Sequence, residues 1–230
     1  PQFSNVVDNN TNEFFVEIAN ENIYAFELGY GFRSKKLSVN VNGYYTIWKN
    51  KPFPFGISVP DPNDPNEFVK ANVNGMDALH MGAEVDASYR IFKKLTLEGM
   101  VSIGDWTWQS TETLVVIPET LLSPGIKYDI NAKGVHVGDA AQSTYAGSIR
   151  FEPIKRGYVK LKYTYFDRYY SNFDPFSLTG VDGGKDSWQI PSYGLLSIHA
   201  GYRVLFKKSS LVFRANVFNV LNSLYISDAR

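Results

Sequence analysis

The stretch Met81-Gly82-Ala83-Glu84-Val85-Asp86-Ala87-Ser88-Tyr89-Arg90-Ile91 decides the fold. Met81, Ala83, Val85, Ala87, Tyr89 and Ile91 form one uncharged set, while Gly82, Glu84, Asp86, Ser88 and Arg90 form another with three charges. Period two belongs to a β-strand, whose successive side chains point to opposite faces. The same alternation predicts seven more strands, over residues 24–33, 37–48, 95–108, 143–152, 158–170, 193–204 and 211–218. Four tight turns join them in pairs, and each carries two cations: Lys35-Lys36, Lys93-Lys94, Lys155-Arg156 and Lys207-Lys208. The other connections, about 50–80, 109–142 and 171–192, are long and rich in Pro, Asn, Asp and Gly. Short turns at one end and long loops at the other describe an antiparallel meander.

Alternation alone does not say what the apolar face meets. The predicted strands run about 10 to 14 residues, longer than soluble sheets use and suited to a tilted strand crossing a bilayer. One-sided loop length is the habit of outer-membrane barrels. Aromatic residues crowd the strand ends, among them Tyr44, Tyr45, Trp48, Trp106, Trp108, Tyr169 and Tyr170, as interfacial girdles do. The competing reading is a soluble barrel or sandwich with that face inward; one interior would then hold an excess of Tyr and Phe. If the face meets lipid, Glu27, Glu84, Asp86, Glu98, Arg150, Lys160, Lys162 and His199 face a polar lumen.

Composition closes other routes. The 230 residues carry 23 basic and 23 acidic side chains, so no basic footprint for nucleic acid exists. The absence of Cys excludes disulfides, thiolate metal sites and Cys nucleophiles. No run reaches the roughly 18 apolar residues of a membrane helix, and the first residues lack the pattern of a signal peptide. The sequence therefore reads as an internal or mature segment. Catalytic and metal chemistry find little footing. Ser197 and His199 share a strand face, but no orienting acid or oxyanion hole can be assigned. His80, His136 and His199 are dispersed, without ligand spacing. The oxygen-rich loop Asp61-Pro62-Asn63-Asp64-Pro65-Asn66-Glu67 departs from an EF-hand, and Gly180 to Ser187, GVDGGKDS, lacks P-loop spacing and reads as a flexible tip. No catalytic residue, metal ligand or cofactor is expected.

Several segments resemble a known family in the right order: Glu21 to Tyr30, Leu37 to Pro52, Gly75 to Glu84, Gly134 to Gln142, and Asn216 to Ser227. Together they resemble the C-terminal barrel of TonB-dependent outer-membrane receptors, particularly the Bacteroidetes type. The resemblance covers nearly the whole chain. It implies an all-β antiparallel transmembrane barrel, with residues 1–230 supplying about eight strands of a roughly 22-stranded barrel. The plug domain and remaining strands would lie outside these residues. It further implies an outer-membrane location and active uptake of a scarce solute, of the siderophore-iron, cobalamin or glycan class. The energy would come from TonB and its inner-membrane complex through the plug. The alternative is a complete eight-stranded adhesin or structural barrel. For cargo, strand parity selects aromatic groups at the long-loop end of the lumen face: Trp48, Trp106, Trp108, Tyr170 and Tyr193.

Overall fold

The computed structural model describes residues 20–51, 57–60, 68–71, 75–116, 126–173, 177–227 and 229. Its strands are β1 (Asn22–Arg33), β2 (Leu37–Lys51), β3 (Ile57–Pro60), β4 (Phe68–Ala71), β5 (Met76–Phe92), β6 (Leu95–Trp108), β7 (Thr111–Val116), β8 (Ile126–Asn131), β9 (Ala141–Phe151), β10 (Gly157–Tyr170), β11 (Gln189–Ile190), β12 (Tyr193–Leu205) and β13 (Ser210–Val217). Eight of them build one antiparallel sheet in the order β1-β2-β5-β6-β9-β10-β12-β13, with β11 added to the end of β10. All eight strands expected from alternation are present. The pairs β3-β4 and β7-β8 are separate hairpins inside two of the long connections. The oxygen-rich loop at 61–67 lies outside the described residues.

The register confirms two unlike faces. Val85 lies opposite Val41 and Val101, and Tyr145 lies opposite Val101 and Tyr165. One step along, Glu98 lies opposite Ser88 and Ser148, and Lys160 opposite Arg150 and His199. Because strand side chains have period two, a one-residue slip anywhere would mix the faces. Among the described residues no protein layer covers the apolar face: Leu28 is 70% exposed, Ile149 50% and Phe213 57%. No helix among the described residues is long and apolar enough to cross a membrane, which says nothing about crossing by strands. Among the described residues β1 and β13 are open edges, not paired with each other, so the eight strands do not close into a small barrel.

The short-turn end is held by a repeated contact. The amide of Arg90 donates to the carbonyl of Lys36, Glu152 to that of Lys94, and Arg203 to that of Arg156. Each of the first three dibasic turns is thus bonded to the strand entering the next one. The first turn is tightened further by Ser34 Oγ, which accepts the amide of Leu37 at 3.0 Å. At the opposite end lies the one buried apolar cluster of the described residues, made of Met76, Ala78, Trp108, Ile130, Ala132, Val135, Val137 and Leu178. The core therefore sits among the long loops, leaving the sheet between its two open faces. Fully covering one Leu- or Phe-sized side chain contributes roughly 1.5–3 kcal/mol, and the sheet collects little of that from its own layers.

Candidate functional site

On the polar face near the long-loop end, two glycines facing each other across β5 and β6 form a floor. Gly82 is opposite Gly104. The Tyr44 ring occupies the space a Gly82 side chain would take, and the Trp106 indole does the same above Gly104. The two rings meet where Trp106 Nε1 donates to Tyr44 Oη at 2.8 Å. Above them the His80 ring stands 5.6 Å from Trp106 and 6.2 Å from Trp48 between centroids. Trp48 Nε1 donates to Glu21 at 3.0 Å. Among the described residues, His80 Nε2 is buried and has no hydrogen-bond partner.

A β-bulge completes the arrangement. Asn50 takes a left-handed backbone conformation, φ 52°, and the register shifts between Trp48 and Lys51. Lys51 is thereby turned from the apolar side to pair with Met76 on the polar side. Its ammonium lies 4.6 Å from the Trp48 ring centre and 5.1 Å from that of Trp108, within cation–π range. Strict alternation misses Lys51; the Asn at position 50, a residue that tolerates positive φ, is the signal that could have found it.

The five aromatic residues selected from the sequence fall into three places. Trp48, Trp106 and Trp108 come together around Lys51 and His80, but Trp108 is only 2% exposed and belongs to the buried cluster, edge-on to Phe173. Trp48 and Trp106 are the partly open members. Tyr170 stacks instead on His136, centroids 4.0 Å apart and planes parallel within 1°. His136 bridges to Thr107 and its Nδ1 lies 2.6 Å from Asp186, with Asp105 at 3.8 Å from Nε2. This second cluster therefore shares the side of β6 that carries Asp105 and Thr107, away from the tryptophans. Arg168, φ 52°, sits just before it and interrupts the alternation of β10. Tyr193 lies in a third group, stacked between Phe166 at 5.0 Å and Tyr225 at 4.5 Å.

The remainder of the polar face is a wall of paired charges and hydroxyls. Glu98 accepts from Ser148 Oγ at 2.9 Å and pairs with Lys160, while Glu84 accepts from Ser102 at 3.2 Å. Glu98, Ser148 and Lys160, with Ser38, Asn40, Asp86 and Lys162, line an open groove of about 320 Å³. His199 contacts Asn216 at 2.8 Å and stands edge-on to Phe218, so its recorded partner is an amide rather than a carboxylate. The segment GVDGGKDS is docked: one 3-10 turn at Gly180–Asp182, Gly184 N donating to Asn131 O at 2.7 Å, and Asp186 held by His136. Among the described residues no three His, Asp or Glu gather as a metal site. The chemistry offered is recognition: flat indole and phenol faces, one cation, and hydroxyl and carboxylate groups along a wet wall.

The family model "TonB dependent receptor-like, beta-barrel" matches residues 1–220. No curated protein matches the sequence. Among solved structures, "Copper transporter OprC" aligns with TM-score 0.61 at 15% identity, over 98% of this chain and 30% of that one. The FrpB iron transporter from Neisseria meningitidis (F3-3 variant) aligns with TM-score 0.54 at 16% identity, over 90% of this chain and 29% of that one. BauA, the ferric preacinetobactin receptor from Acinetobacter baumannii, aligns with TM-score 0.53 at 16% identity, over 96% of this chain and 28% of that one. At such identities the likeness is one of fold, and the chain spans less than a third of each structure.

Proposed function

Because the chain belongs to the TonB-dependent receptor-like β-barrel family, we propose that it forms part of the wall of an outer-membrane receptor for active uptake of a scarce solute. The observation that carries this is the open, two-faced sheet. Its apolar face needs lipid, and its unpaired β1 and β13 edges need further strands, since open edges are not tolerated in a bilayer. The remaining strands and a plug would be supplied by residues outside this chain, the plug recruiting TonB and its inner-membrane complex. The Bacteroidetes type is part of the same proposal and rests on the ordered segments that end with Asn216 to Ser227.

The wall acts by contact and makes or breaks no bond. Cargo arriving from the long-loop end meets Trp48 and Trp106 on the polar face, with Lys51 and the buried Trp108 beside them on the long-loop side and Tyr193 offering a second aromatic face. Such faces suit iron chelates, cobalamin or glycans. A first test is location: the full-length protein should fractionate with outer membranes and migrate differently on gels before and after boiling. Recovery in the soluble fraction refutes the reading. A second test is solute-limited growth on a ferric siderophore, cobalamin or an oligosaccharide as the scarce nutrient. Changing both Trp48 and Trp106 to Ala should raise the concentration needed for half-maximal growth about ten-fold, the scale of one lost aromatic contact. An unchanged requirement removes these residues from the binding site.

A further inference from the structure

We propose that the short-turn rim is a docking surface for the headgroups of anionic phospholipids; this rests on the membrane reading above. The four turn segments 33–37, 90–95, 151–157 and 203–210 contain a single carboxylate, Glu152, which is engaged by Arg150 at 3.0 Å. Against it stand the pairs Lys35-Lys36, Lys93-Lys94, Lys155-Arg156 and Lys207-Lys208, all exposed. Among the described residues, none of these eight forms an ion pair. The carbonyl contacts from Lys36 to Arg90, Lys94 to Glu152 and Arg156 to Arg203 tie neighbouring hairpins together. The cations therefore form one arc attached to the sheet, rather than four independent tips.

Lipid fits this arc better than an acidic protein does. In three turns a large apolar residue precedes the dibasic pair: Phe92-Lys93-Lys94, Ile154-Lys155-Arg156 and Phe206-Lys207-Lys208. Phe92, Ile154 and Phe206 are 52%, 58% and 59% exposed and continue the apolar face to its very end. An apolar group beside an ammonium is the arrangement that seats one in acyl chains and the other among phosphates. Because these three side chains continue the lipid-facing band, the cations beside them stand at its edge, where phospholipid phosphates lie. In a neutral chain, four basic pairs gathered at one end also mark a sorting of charge by depth.

The test uses the full-length protein folded into vesicles of phosphatidylcholine with about a third phosphatidylglycerol, then extracted in mild detergent. Retained lipid is counted by mass spectrometry, and gel mobility without boiling reports folding. The comparison is a variant carrying Lys93→Gln, Lys94→Gln, Lys155→Gln and Arg156→Gln. Each cation near an anionic surface is worth roughly five-fold. The variant should therefore lose its enrichment of phosphatidylglycerol by at least about ten-fold, after allowance for screening by salt. Equal enrichment in two folded proteins overturns the proposal and leaves the membrane reading intact. Displacement of the lipid by millimolar soluble glycerol phosphate overturns it in favour of a free-phosphate site. Salt-sensitive capture of an acidic envelope protein without lipid enrichment overturns it in favour of a protein partner. Failure of the parent protein to fold in any vesicle overturns the membrane reading instead.

Discussion

Replacing Gly82 with Ala tests the glycine floor directly. A methyl carbon at that position would lie 2.6 Å from the carbonyl oxygen of Ile103 and closer still to the Tyr44 hydroxyl. Atoms do not approach so closely, so Tyr44 must leave and the strands must part slightly. Overpacking of this kind costs about 1–3 kcal/mol. Displacing Tyr44 also breaks its bond from Trp106 Nε1, worth about 1 kcal/mol. The expected loss is therefore about 2–4 kcal/mol of unfolding free energy. Gly147 supplies the control, because nothing lies within 4 Å of a methyl carbon built there. Gly147→Ala should be neutral or stabilising by up to about 1 kcal/mol, since Ala loses less backbone freedom in a strand than Gly. Both variants, in the full-length protein folded into vesicles, are compared by urea unfolding followed through gel mobility. Equal behaviour of the two, or a loss below about 1 kcal/mol at Gly82, refutes the claim that the aromatic pair rests on these glycines.

Gln142 is 1% exposed and its amide serves the β6 backbone, accepting from Trp106 N and donating to the carbonyls of Trp106 and Val137. Gln142→Leu should lower stability by about 2–4 kcal/mol in the same urea assay through buried groups left unpaired; an unchanged midpoint sinks that account. His136→Ala should release the loop held through Asp186, raising the rate of tryptic cleavage after the exposed Lys185 about five-fold, a value kept low because the pair is partly solvated. If Asp186→Asn leaves that rate alone while His136→Ala raises it, stacking on Tyr170 and not the carboxylate contact holds the loop.

What the sequence revealed, and what it withheld, divides along the range of the interactions. Alternation located the eight long strands of the main sheet to within about five residues, though not the short β11, because faces are a local property: residues i and i+2 share one whatever the partner strand. The Leu95–Trp108 strand agrees at both ends with its expected bounds. Parity failed where the backbone broke it. The bulge at Asn50 brought Lys51 to the tryptophans, and the left-handed Arg168 preceded the departure of Tyr170 to His136. Burial of Trp108 could not be foreseen, because its cover comes from Ile130, Val135 and Leu178, far along the chain. The pairing of His136 with Asp186 spans 50 residues and leaves no periodic trace.

The glycine floor has a consequence for how the sheet reaches a unique alignment. Facial patterning rejects any slip of one residue, but a slip of two passes unseen: each side chain keeps its proper environment while the strand rides about 7 Å along its neighbour. Only features that count residues can detect it. The Tyr44 ring, which lies opposite Gly82 in the space a side chain there would take and accepts from Trp106 on the following strand, does so across β2, β5 and β6, because a shift of two would set it against His80 or Glu84. It acts as an index mark, giving even-numbered errors a penalty that hydrophobicity cannot impose. Without that fit, a misaligned hairpin would still look correct to lipid and to water, yet carry every aromatic residue above it to the wrong height.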